Sequence, residues 1–136
     1  MARIAYILLC HKDPVAIIKQ AERLTASGDY MSIHFDASAS PTDFAQITQA
    51  LGKNPNVTFA SKRIRCGWGE WSLVQATLNA VESAIDAFPR ATHFYMLSGD
   101  CMAIKSAEYI HDYLDDNDVD FIESFDYFES VGSRQA

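Results

Sequence analysis

The residues best suited to chemistry in this chain gather in one stretch, Ser61 to Asn79, where a basic loop runs into a helical pattern. Lys62, Arg63 and Arg65 supply three of the chain's eleven cations, and Gly67 and Gly69 bracket Trp68. Glycines let backbone pass close to a ligand, and an indole offers a flat face, so the combination suits an anionic, ring-bearing molecule. A tryptophan between two glycines has a second use, which is to plug the edge of a sheet. Asp36 ends an apolar run and precedes a turn of small residues. Its carboxylate is placed either to accept hydrogen bonds from a ribose or a base N–H, or to bond its own turn backbone. His11 follows another apolar run and stands at the mouth of a helix N-terminus, where anions are favoured; it reads as a ligand contact or as a satisfied loop histidine. Cys10 and His11 make a poor nucleophile and base, since neighbours on extended chain point to opposite faces. No Gly-x-Gly-x-x-Gly or Walker loop is present, which excludes the usual dinucleotide and P-loop sites.

These residues need a scaffold. Ile4 to Cys10 is apolar without alternation, as in a parallel strand covered on both faces. Asp13-Pro14 reads as an N-cap and first-turn proline for a helix with Val15, Ile18, Ala21 and Leu24 inward, ending near Gly28. Tyr30 to Asp36 reads as a second strand, Ser40-Pro41 as the cap of a short helix stopped by Gly52, and Asn56 to Ala60 as a third strand. From Trp71 the apolar positions Trp71, Val74, Leu78, Val81, Ile85 and Phe88 recur at steps of three and four, which predicts an amphipathic helix with that face in the core. Thr92 to Leu97 is a fourth strand, Ser106 caps another helix, and Val119 to Ile122 is a short fifth strand. Regular alternation of strand and helix predicts an α/β fold with a doubly wound, mostly parallel sheet. Ligands in such sheets bind beyond the carboxyl ends of the strands, which places His11, Asp36, Ser61 to Arg65 and Ser98-Gly99-Asp100 along one edge.

Composition narrows the classes. A chain of 136 residues, 49% hydrophobic, is one domain able to bury a core. Cys10, Cys66 and Cys101 are odd in number and widely spaced, so reduced thiols and a cytoplasmic location are expected, with neither a disulfide framework nor a structural zinc site. The first apolar run is far short of the roughly 20 residues of a membrane span. The net charge of −7 comes from the end of the chain, where residues 112–136 hold eight acidic groups and one basic. One short basic loop on a neutral body is not the basic face of a nucleic-acid binder. Asp118-Val119-Asp120 has the form of a metal-holding Asp-x-Asp but precedes a strand, so it reads as a solvated acidic turn. His93 and His111 show no ligand spacing.

In order, Ile4-Ala5-Tyr6-Ile7-Leu8-Leu9-Cys10-His11-Lys12, Ile33-His34-Phe35-Asp36, Ser61-Lys62-Arg63 with Gly67-Trp68-Gly69, Trp71-Ser72-Leu73-Val74 with Ala76-Thr77-Leu78-Asn79, and Leu97-Ser98-Gly99 resemble the core-2/I-branching β-1,6-N-acetylglucosaminyltransferase family, which includes the protein xylosyltransferases. The likeness runs from about Arg3 to about Glu123 and corresponds to that family's N-terminal, donor-binding half. It implies a GT-A, Rossmann-like fold and an inverting sugar transfer from a UDP-sugar to a glycan or polysaccharide acceptor, with no metal and no other cofactor. By position it assigns Cys10 and His11 to the first nucleotide-contacting loop, Asp36 to the uridine and Trp68 to a place beside the donor. Gly67, Arg63 and Asp100 complete the expected donor site. The pattern departs after Ser98-Gly99: Asp100 comes one place early, and Cys101 stands where the family's aspartate belongs. The resemblance implies a UDP-sugar-binding domain over residues 1–123 and an acidic segment, 124–136, leading into a half that carries the catalytic base. No integral membrane segment is expected, only peripheral association. The competing expectations are a nucleotide-sugar-binding module without catalysis and a flavodoxin-like interaction domain.

Overall fold

A computed structural model describes residues 1–122. The elements run β1 (Ile4–Cys10), α1 (Pro14–Thr25), β2 (Tyr30–Phe35), α2 (Pro41–Leu51), β3 (Val57–Phe59), α3 (Trp71–Ala87), β4 (His93–Ser98) and α4 (Ala107–Asp116). The strands form one sheet in the order β3-β2-β1-β4, and every pairing is parallel. The expected α/β class is therefore present. β1 is central and covered on both faces, as its unbroken apolar run requires.

Two cores flank the sheet. Ile4, Tyr6, Leu8 and Cys10 point to the side where Ile17, Ala21 and Leu24 of α1 and Ile47 and Leu51 of α2 are buried. Ala5 and Ile7 point to the other side, against Ala80, Ala84 and Phe88. Ser40 and Ser106 cap their helices through hydrogen bonds from the Asp43 and Tyr109 amides. Asp13 stands at the α1 N-cap but takes a left-handed backbone conformation (φ 55°), and its side chain makes no capping bond.

Three expectations fail. Val15, expected inward on α1, is 55% exposed, and Ile17 is buried instead. The large apolar face of α3 is not its buried face: Trp71 is 69% exposed, Leu78 50% and Ile85 55%. Ala76, Asn79, Ala80, Ser83 and Ala84 face the protein instead, because small side chains let the helix settle closely on β1 and β2. Periodicity identified the helix and chose the wrong stripe. Nor does Val119 to Ile122 form a strand. The Val119 amide turns back to the Asn117 carbonyl (2.9 Å), and Val119 and Phe121 line a cleft instead of pairing with a neighbour. The expected acidic segment 124–136 lies outside the described residues.

Among the described residues no helix is long and apolar enough to cross a membrane.

Candidate functional site

Because β1–β2–β3 run outward in one direction and β4 lies on the other side of β1, the chain order reverses between β1 and β4. Ligands of open parallel sheets bind outside the strand ends at such a switch point. Here the ends are Cys10-His11 on β1 and Ser98-Gly99-Asp100 beyond β4, with Leu9 paired to Ser98 and Cys10 to Phe35. Gly99 packs closely there: a side chain in its place would meet Ile17 Cδ1 at 3.0 Å. Asp36 follows β2 directly, and its amide donates to the Cys10 carbonyl (2.9 Å), which puts it beside the start of the His11 loop.

The loop from Ser61 to Gly67 is held to this edge mostly by side chains bonding to backbone. Ser83 and Asn79, on the small-residue face of α3, take the Ser61 amide (3.1 Å) and the Lys62 carbonyl (3.0 Å). His34 Nε2 accepts from the Ile64 amide (3.0 Å), and the Ile64 carbonyl accepts from the Ala37 amide (3.0 Å). Asp36 Oδ2 accepts from the Cys66 amide (2.9 Å), and Ser72 Oγ from the Gly67 amide (2.8 Å). Gly69 then turns with φ at +73°, which favours glycine. Between these points Trp68 stands 98% exposed. It does not plug the sheet.

Both carboxylate oxygens of Asp36 are engaged by the chain itself. Oδ1 closes its own turn by accepting from the Ser38 amide (2.7 Å) and hydroxyl (2.6 Å), while Oδ2 reaches across to the Cys66 amide. Burial pushes the carboxyl up, but the hydrogen bonds from Ser38 and Cys66 outweigh it and leave the group below its ordinary 3.8. Asp36 is therefore ionised, and its remaining acceptor capacity lies on Oδ2.

Arg63 is committed to the fold. Its Nε donates to the Phe35 carbonyl (2.8 Å), its Nη2 to the Asp36 carbonyl (3.1 Å), and its guanidinium lies 3.7 Å from the centroid of the Phe44 ring. Lys62 and Arg65 are exposed beside it. The Cys10 thiol is buried and pushed up to about 12 by that burial, so it is inert as a nucleophile. His11 and Asp100 are exposed at the two sides of the switch point. Cys101 is exposed, with its Sγ 3.2 Å from Ser98 Oγ, and this contact holds the thiol below its usual value. The turn that carries it is fastened from below by the Gln20 amide, which donates to the carbonyls of Ser98 and Cys101. Thus His11, Asp36, Gly67, Trp68 and Asp100 all belong to the carboxyl edge, whereas the side chains of Cys10 and Arg63 are used internally.

Sequence reasoning gave no role to several residues that hold the loop, among them Ser72 and Ser83 as well as His34 and Asn79. His34 was only part of a strand end, and its service to Ile64 depends on a residue thirty places away. Asn79 lay within a helix with no pattern to set it apart. Asp118 and Asp120 are exposed beyond the end of α4. Among the described residues no three His, Cys, Asp or Glu side chains converge as a metal site would need. A cleft of about 990 Å³ lies between β4 and α4, running from Thr92 and His93 at the start of β4 to Cys101 and Met102 beyond its end, and its lining is mostly apolar.

A four-stranded, all-parallel sheet with helices on both faces is a Rossmann-like α/β fold. The chain belongs to the Core-2/I-Branching enzyme family, whose model matches residues 4–135. It is similar to the human protein named β-1,3-galactosyl-O-glycosyl-glycoprotein β-1,6-N-acetylglucosaminyltransferase 3, with 30% identity over 104 residues, or 76% of this chain. Those residues correspond to 24% of the human protein, so the match covers about a quarter of that relative.

Proposed function

We propose that this chain is the donor-binding part of an inverting, metal-independent glycosyltransferase, taking a sugar from a UDP-sugar to a glycan or polysaccharide acceptor. N-acetylglucosamine, the sugar in the relative's name, and xylose are the leading donors. The observation that carries the reading is the fastening of the Gly67-Trp68 loop onto Asp36 at the switch-point edge, which presents an ionised carboxylate and an exposed indole together. In this reading the free acceptor capacity of Asp36 Oδ2 takes a hydrogen bond from the uridine. Trp68 stacks beside the donor sugar, and His11, at a helix start without a side-chain cap, faces the diphosphate. Gly67 permits close approach, Asp100 meets the sugar, and Arg63 and Cys10 act by bracing the strand ends. The catalytic base and the positive charge for the leaving diphosphate are assigned to chain beyond Ala136.

A non-catalytic nucleotide-sugar-binding module is the second reading; it uses the same loop and the same Asp36 contact and differs only in lacking transfer. Calorimetry with UDP, with and without EDTA, tests the shared core of both. Heat that chelator leaves unchanged is expected, and no heat with UDP or any UDP-sugar overturns both. Asp36→Ala is expected to weaken UDP by about 1–3 kcal/mol, and Trp68→Ala to weaken a UDP-sugar more than UDP. Sugar transfer by a longer form of the protein separates enzyme from module.

A further inference from the structure

His34 is 1% exposed, yet it is polar and lies under the loop that carries Trp68. It shares a face of β2 with Ser32, whose hydroxyl donates to the Ala80 carbonyl of α3 (2.7 Å). The Ile64 amide can only donate, so Nε2, 3.0 Å away, must be the bare nitrogen and the ring proton must sit on Nδ1. Both backbone groups of Ile64 are thereby fixed to the end of β2, the amide by His34 and the carbonyl by the Ala37 amide. Two residues on, the Cys66 amide meets Asp36, and two beyond that the chain reaches Trp68. Adding a proton to Nε2 would set N–H against N–H and cut the first of these fastenings.

We propose that His34 is a positioning residue that latches the Trp68 loop in its donor-binding form only while its imidazole is neutral, so that acid loosens the loop and weakens nucleotide-sugar binding. The binding half of this statement rests on the donor-site reading above; the latch itself does not.

The surroundings agree. Burial disfavours the imidazolium most strongly, the ring's bond to its own carbonyl and the carboxylate of Asp36 favour it, and the Arg63 guanidinium opposes it. The net effect keeps His34 below its ordinary 6.5. Lys62 and Arg65 of the same loop carry the remaining charge nearby and are exposed to water. The two neighbouring thiols are neutral: Cys10 of β1, whose Sγ contacts the His34 carbonyl, is raised to about 12, and Cys66 of the loop is raised to about 11. From α3 the loop meets Asn79 and Ser83, both neutral, and β3 beside β2 ends in the apolar Phe59, paired with Ile33.

Two measurements test the latch. Nitrogen NMR of the imidazole at neutral pH is expected to show a neutral ring protonated on Nδ1, with the Ile64 amide protected from exchange and losing protection as the ring titrates. A ring protonated on Nε2, or an Ile64 amide indifferent to that titration, overturns the proposal without any ligand being added. Calorimetry with UDP-N-acetylglucosamine, whose diphosphate does not titrate in this range, is expected to show affinity falling about tenfold from roughly pH 7 to pH 5, the worth of one lost hydrogen bond. In His34→Gln an amide oxygen can take the Ile64 bond and does not titrate, so affinity should stay within about twofold of the parent at neutral pH and lose that fall. A His34→Gln protein that keeps the parent's pH profile overturns the proposal. If no nucleotide sugar binds at any pH while Ile64 protection still follows the ring, the donor reading falls and the latch stands.

Discussion

On the β2–β3 flank of the sheet, aromatic side chains pack together and the strand-end loop is fastened by hydrogen bonds; on the β4 flank, large apolar side chains are left open. Phe35, Phe44 and Phe59 pack together on the first flank, under Arg63. On the second, Phe94 and Met96 share the sheet face of Ala5 and Ile7 and stay about half exposed, because α3 settles chiefly over β2, β1 and β3. Val74, Leu78 and Ile85 project from the α3 flank opposite the one that Asn79 and Ser83 turn toward the loop. α4, which covers the other side of β4, has no fully buried residue. The flank that carries the candidate donor site thus needs nothing more to hold its shape, and the flank beside β4 is an apolar surface without cover among the described residues.

Four experiments press on that contrast. The largest effect is expected from Asp29→Ala. Asp29 is fully buried, accepts from the Ile4 amide (2.9 Å) and bonds His111 Nε2 through both oxygens at 2.8 Å, tying the loose α4 to the finished core. Its loss leaves the buried Ile4 amide and the partly buried His111 ring unpaired and should cost on the order of 3 kcal/mol in urea unfolding; a small cost would mean that α4 does not depend on this tie. Ala84→Leu comes next, since overfilling the close contact between α3 and the sheet should cost on the order of 2 kcal/mol.

Acid should act on the finished flank first. His34 is held below 6.5 chiefly by burial, so below about that pH the unfolded chain binds more protons than the folded one, and stability present above it declines as pH falls. Asp36 follows lower down: its folded value lies under 3.8, so its contribution is complete above 3.8 and is lost as pH falls through the folded value. Urea titrations at several pH values should show the two steps, and a flat profile would deny that the polar loop contributes stability. The smallest effect is expected for Leu78→Ser, which should change stability by less than about 0.5 kcal/mol because the side chain is half in water already. A large loss there would show that the β4 flank is covered in solution.

Much of the scaffold was legible because it is local. The apolar run Ile4–Cys10 could only be a central strand, Ser40 and Ser106 were recognisable caps, and the order of strands and helices implied the sheet. Two features misled. Hydrophobic periodicity ranks positions by size, and α3 is seated by alanine and serine, with the larger residues turned outward. Val119 to Ile122 has a strand's composition, but a strand is defined by a partner, and none pairs with it among the described residues. At the site, Asp36 and Trp68 could be singled out by their settings, whereas Arg63 looked like free charge until its bonds to the Phe35 and Asp36 carbonyls were seen. His34 could not be assigned, because its meaning depends on which distant amide the loop brings to it.

The two oxygens of Asp36 have a consequence for substitution at this place. An asparagine has one acceptor oxygen, so its amide nitrogen would have to confront either Ser38 or Cys66, donor against donor. The backbone alone therefore demands a carboxylate here before any nucleotide arrives, and an aspartate kept at this spot in another chain would testify to turn closure as readily as to uridine.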